Sequence, residues 1–158
     1  MTETVEGILR DHAFLSGLPE GTVELIAGCA RRVDVQPGAF ILREGETTDT
    51  LYLVHRGRVS IEVHRPGHGG VAIETVGPGT TVGLSWISPP FRWQFDARAI
   101  DEVTLVAVDA TRLRAGFEQN PAIGYAVLDR LATRLVERLQ ATRLQLLDLH
   151  GLGHDDRP

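Results

Sequence analysis

From Arg32 to Pro90, glycine or proline interrupts the chain at least once in every dozen residues: Pro37-Gly38, Gly45, Gly57, Pro66-Gly67, Gly69-Gly70, Gly77-Pro78-Gly79, Gly83 and Pro89-Pro90. Glycine supplies the backbone freedom of tight corners and proline stops helices, so this stretch is built of short strands. Between the corners lie Val33 and Val35, Phe40-Ile41-Leu42, Leu51-Tyr52-Leu53-Val54, then Val71, Ile73 and Val76, and past the last corner Val103, Leu105, Ala107 and Val108. Val59, Ile61 and Val63 alternate with Ser60, Glu62 and His64, the period-two pattern of a half-buried strand. Many short strands joined by turns predict a barrel or sandwich.

Both flanks read differently. Up to Ala30 two short helices are expected, one around Ile8 and one from Thr22, whose hydroxyl is the candidate N-cap, with Phe14 to Pro19 turning between them. From Thr111 the pattern is helical again. Asn120-Pro121 combines a capping side chain with the residue best tolerated in a first turn. Beyond it Leu128, Ala132, Leu135, Leu139, Thr142, Leu146 and Leu149 recur at steps of four and three, a heptad seam. Charged residues such as Arg130, Glu137 and Arg138 lie off that seam. A second line, Val127, Leu131, Val136, Leu144 and Leu147, is free to pack on the strands. The chain thus divides into an N-terminal helical segment (1–30), a β core (31–110), C-terminal helices (111–150) and a disordered tail (151–158).

Composition closes off several functions. A net charge of −5 removes any general attraction to DNA or anionic membranes. No apolar run is long enough to span a membrane, the N-terminus has no signal-peptide pattern, and Cys29 has no partner for a disulfide, which together point to the cytoplasm. The six histidines show no metal-ligand spacing, and no nucleophile elbow, phosphate loop or dinucleotide fingerprint occurs, so no enzyme is expected.

The ordered motifs resemble one family, the cyclic-nucleotide-binding domain of catabolite-activator and FNR-like regulators. Phe14-Leu15-Ser16-Gly17-Leu18 is similar to its helical lead-in, Val35-Gln36-Pro37-Gly38-Ala39-Phe40-Ile41 with Arg43-Glu44-Gly45-Glu46 to its first turn, and Asp49 to Val54 with Gly57-Arg58-Val59 to the strand pair after it. The resemblance implies a mainly β fold with flanking helices: an eight-stranded antiparallel β-roll, jelly-roll-like, and a long C-terminal helix that forms a parallel dimer. It also implies a phosphate-binding cassette in which a short helix after a Gly-x-x-x-Gly turn offers amides to a cyclic phosphate, a Glu takes the ribose hydroxyl and an Arg neutralises the phosphate.

Gly79 and Gly83 match that turn, but Leu84 stands where the resemblance puts the Glu and Trp93 where it puts the Arg, with Arg92 one place away on the alternate side of an extended segment. An unmet buried polar contact costs roughly 1–3 kcal/mol, and an unpaired buried charge about 3–5 kcal/mol. Ordinary cAMP or cGMP recognition is therefore expected to be weak or absent. Candidate ligand-binding residues are Gly83, Leu84, Ser85, Trp86, Arg92, Trp93, Gln94, Thr142 and Arg143. Trp86, Phe91, Trp93 and Phe95 form an aromatic cluster able to stack a flat ligand or to fill the pocket. Three occupants stay open: the protein's own side chains or a partner, a cyclic nucleotide, or another small anionic ligand.

Candidate dimer-interface residues are Leu128, Leu135, Leu139, Thr142, Leu146 and Leu149. About eight residues follow His150, too few for a helix-turn-helix, so no direct DNA binding is expected and the output passes through a protein partner. The expectation is a dimeric cytoplasmic regulatory or adaptor module. A ligand-independent structural subunit, or a regulator fragment lacking its DNA-binding domain, are the alternatives.

Overall fold

The computed structural model describes residues 3–47, 49–87 and 90–151. Eight strands, β1 (Ala30–Val35), β2 (Phe40–Leu42), β3 (Thr50–Arg56), β4 (Val59–Arg65), β5 (Gly69–Val76), β6 (Thr81–Val82), β7 (Asp96–Ala99) and β8 (Val103–Asp109), form two four-stranded sheets. Their orders are β1-β8-β3-β6 and β2-β7-β4-β5, and every pairing is antiparallel. This is the expected roll. Its corners fall on the glycines: Gly57, between β3 and β4, has φ 84°, and a Cβ there would run into the Glu102 carbonyl.

Helices α1 (Val5–Asp11) and α2 (Thr22–Ala27) precede the roll, and α3 (Ala110–Gln119) and α4 (Pro121–Leu149) follow it. Two apolar clusters result. One fills the space between the sheets with Val54, Val59, Ile61, Val82, Trp93, Val103 and Leu105. The other packs Leu51, Leu53, Val106 and Val108 against Ile8, Phe14, Ile26, Leu113, Phe117, Val127 and Leu131 of the helical flanks. Strand β8 contributes to both, which is why it reads as a nearly unbroken apolar run rather than an alternating one.

Three expectations are corrected. Gly21, in the left-handed region, is the N-cap of α2, and the Thr22 hydroxyl instead donates to the Pro19 carbonyl at 2.7 Å. Strand β4 is not half-buried at its start: Ser60 and Glu62 are buried along with Val59 and Ile61. Of the second apolar line on α4, Val127 and Leu131 are buried, whereas Val136, Leu144 and Leu147 are exposed, because the helix runs on past the packed core. The turn expected between the two N-terminal helices is present and begins with a 3-10 turn, Ala13–Leu15. The cap at Asn120 does form, its side chain accepting from the Ile123 amide. The tail proposed for 151–158 lies, from residue 152 on, outside the described residues.

His12 ties the N-terminal segment to the roll. It is 4% exposed; one ring nitrogen, Nε2, lies 2.8 Å from the Val54 carbonyl and the other, Nδ1, 3.2 Å from the Phe14 amide. A carbonyl only accepts and an amide only donates, so Nε2 carries the proton and Nδ1 is bare. Burial, the largest cause, lowers the pKa below the ordinary histidine value; the Val54 bond opposes it and the charges of His55 and Arg134 add to it. The unfolded chain therefore takes up a proton, below about pH 6.5, that the folded one refuses. Stability is fully present above that pH and falls as pH drops, by up to about 1.4 kcal/mol per unit, until the folded pKa is passed. Urea denaturation at neutral pH and near pH 5.5 should show this slope, and His12→Gln should remove it.

Candidate functional site

The segment matched to the cassette is held in register by the roll. Trp93 exchanges backbone bonds with the first turn, its amide donating to Glu46 at 3.0 Å and its carbonyl accepting from Gly45 at 2.9 Å. Side chains alternate from there. Arg92 and Gln94 are exposed, and Trp93 is 4% exposed in the cluster between the sheets. Gly83, with φ 87°, leaves room for that indole: a Cβ on it would stand 2.6 Å from Trp93 Cη2. The tryptophan that replaces the expected arginine thus lies against the glycine of the phosphate turn. Among the described residues Gly83 is followed by a 3-10 turn, Ser85–Ile87.

Between the roll and α4 lies a cavity of about 410 Å³. Its lining comes from Ile61, Ile73, Glu74, Val82, Gly83, Leu84 and Phe95 on the roll, and from Leu135, Arg138, Leu139 and Thr142 on α4. The two charged residues of that lining satisfy one another: Arg138 donates to both carboxylate oxygens of Glu74 at 3.2 and 3.0 Å, and to the Thr81 carbonyl at 3.2 Å. Thr142 Oγ donates to the Arg138 carbonyl at 2.9 Å.

Of the candidate ligand residues, this cavity gathers Gly83, Leu84 and Thr142. Trp93 stands behind Gly83 as filling. Arg92 turns outward and donates to the Gly45 carbonyl at 2.7 Å, and Gln94 donates to the Arg92 carbonyl. Arg143 is exposed and away from the lining. The Ser85 side chain lies outside what is described. Trp86 faces the other way: it is 3% exposed, packs in the helical cluster, and lines a separate cleft of about 370 Å³ with Phe91 and Arg114. Arg114 there donates to the Trp86 carbonyl at 2.6 Å and sits over both rings. The two tryptophans consequently serve different cores and form no common stacking platform.

Two features were missed in the sequence. Arg138 belongs to the cavity face, not outside it, and the spacing 135, 138, 139, 142 was a signal for one helix face. The pair of Glu62 with Arg98, at 2.9 and 2.8 Å, joins β4 to β7 beneath the hairpin and had no local signal.

A ligand-sized, mostly apolar cavity between a β-roll and a long helix has the form of a small-molecule site. The chain belongs to the cyclic nucleotide-binding domain family, whose model matches residues 32–120. It is 27% identical over 145 residues to the CRP-like cAMP-activated global transcriptional regulator of Mycobacterium tuberculosis, a match covering 92% of this chain and 63% of that protein. The chain therefore spans less than two thirds of the length of this relative. Among solved structures, a Geobacter metallireducens protein provisionally described as cyclic nucleotide-binding matches with a TM-score of 0.74 and 26% identity, over 88% of this chain and 99% of that one. The catabolite activator protein of Thermus thermophilus matches with a TM-score of 0.69 and 25% identity, over 87% and 63% of the two chains. No helix among the described residues is long and apolar enough to cross a membrane.

Proposed function

We propose that the chain is a non-enzymatic regulatory module of the cytoplasm. Residues 31–110 are its sensing unit and 111–150 its output. It dimerises through α4, binds cAMP and cGMP weakly or not at all, and acts on a protein partner. The observation that carries this reading is Trp93, buried against Gly83 where a cyclic phosphate would need a cation. Leu84 supports it, since a ribose hydroxyl would meet an alkyl group. Leu128, Leu135, Leu139, Leu146 and Leu149 support the output, forming an exposed apolar stripe at heptad spacing that calls for a partner helix.

Calorimetric titration and sedimentation velocity on the full chain test the two halves. Millimolar cAMP or cGMP should give no saturable heat, and the protein should sediment as a dimer that Leu146→Glu converts to monomer. A micromolar site for either nucleotide overturns the pocket reading, and a monomeric unmodified chain overturns the output.

A further inference from the structure

We infer that the cavity between the roll and α4 takes a neutral, largely apolar small molecule carrying one hydrogen-bond donor, which it anchors at Thr142. The inference rests on the reading of this cavity as the regulatory site, and names its ligand class.

The chemistry of the lining excludes the alternatives in turn. Leu84, Val82, Phe95, Leu135 and Leu139 present hydrocarbon to about 410 Å³, within the range of ordinary ligand sites. An anionic guest would have to draw Arg138 from Glu74, stripping a two-point ion pair and leaving the carboxylate beside the new negative charge. A cationic guest would meet the reverse problem. Arg92, Arg98 and Arg143 are absent from the lining, and the first two are engaged elsewhere, on the Gly45 carbonyl and on Glu62. Burying an uncompensated charge in such surroundings is strongly unfavourable, so neutrality is selected.

Thr142 supplies the polar anchor. Its proton is committed to the Arg138 carbonyl at 2.9 Å, so its hydroxyl oxygen offers lone pairs only. A guest with an N–H or O–H donor fits that oxygen, and a guest bearing only acceptors does not.

N-phenyl-1-naphthylamine has these properties: neutral, aromatic, with one N–H, and brightly fluorescent only when shielded from water. Titrated into the full chain, it should show saturable binding, one molecule per chain. Leu84→Asp, which sets a carboxylate in the apolar space, should weaken it by about tenfold or more, and Thr142→Val, which removes the accepting oxygen and keeps the side-chain shape, by about fivefold. Thr142 is exposed on α4, so its variant keeps the fold even if Leu84→Asp does not, and circular dichroism checks both. Leu144→Ser, an exposed position on α4 outside the cavity and the seam, should leave binding unchanged. Binding that fails to saturate, or that Leu144→Ser abolishes while Thr142→Val spares it, overturns the assignment as adsorption to the helix surface. Displacement of the probe by cAMP overturns the neutral-ligand class. A chain that sediments as a dimer yet gives no saturable probe binding overturns the ligand class and leaves the proposed output standing.

Discussion

Replacing Trp93 by alanine lowers the unfolding free energy by about 3–5 kcal/mol, as for other large aromatics cut from a core. The indole is buried with Val82, Ala97 and Leu105 between the sheets, and its ring rests on the Gly83 backbone. That floor is main chain held by the antiparallel pairing of β6 to β3, so it cannot collapse into the vacated space. Trp93→Phe, keeping most of the ring volume, should cost less than half as much. A second readout separates plugging from general loss of packing: free indole should raise the melting temperature of Trp93→Ala by more than that of the unmodified protein, because only the variant has room for it between the sheets. A loss below about 1 kcal/mol in urea denaturation would show that the indole does not fill the site.

Arg98→Ala has the next largest effect, a loss of about 3 kcal/mol. The Glu62 side chain is only 4% exposed, and both its oxygens accept from the Arg98 guanidinium. Without that partner a carboxylate stays buried in the middle of a sheet. The guanidinium itself is 44% exposed, so water relieves part of the penalty and places the cost at the lower end of the range for broken buried pairs. Adding Glu62→Gln to Arg98→Ala should recover part of the loss, since a neutral amide is cheaper to bury than an orphaned charge. Equal destabilisation in the single and double variants, by chemical denaturation, would rule out the charge as the cause.

What could be read from the chain was whatever local geometry imposes. The Gly57 corner needs a positive φ, Pro121 can sit only near a helix start, and the strands between such points follow from spacing alone. The family resemblance added the order of the elements and the location of the cassette. Long-range pairing stayed hidden. Glu62 and Arg98 are 36 residues apart, and nothing near Glu62 announces that its place in the alternating pattern is an interior one. The aromatic cluster failed for a related reason. Four rings within ten residues look like one surface in a sequence, yet a 3-10 turn and an extended stretch send Trp86 to the helices and Trp93 between the sheets. The substitution at position 93 was legible as a missing cation; that the replacing ring would close over Gly83 required the fold.

Leu135 and Leu139 belong at once to the cavity lining and to the exposed stripe of α4. A side chain has a single set of rotamers to share between its neighbours, so under the proposed reading a molecule entering on one flank and a chain arriving on the other would act on the same two side chains. By linkage that influence is mutual and equal in size. Occupancy would then follow how crowded the protein is with its own copies, and the module would register its own abundance together with its guest.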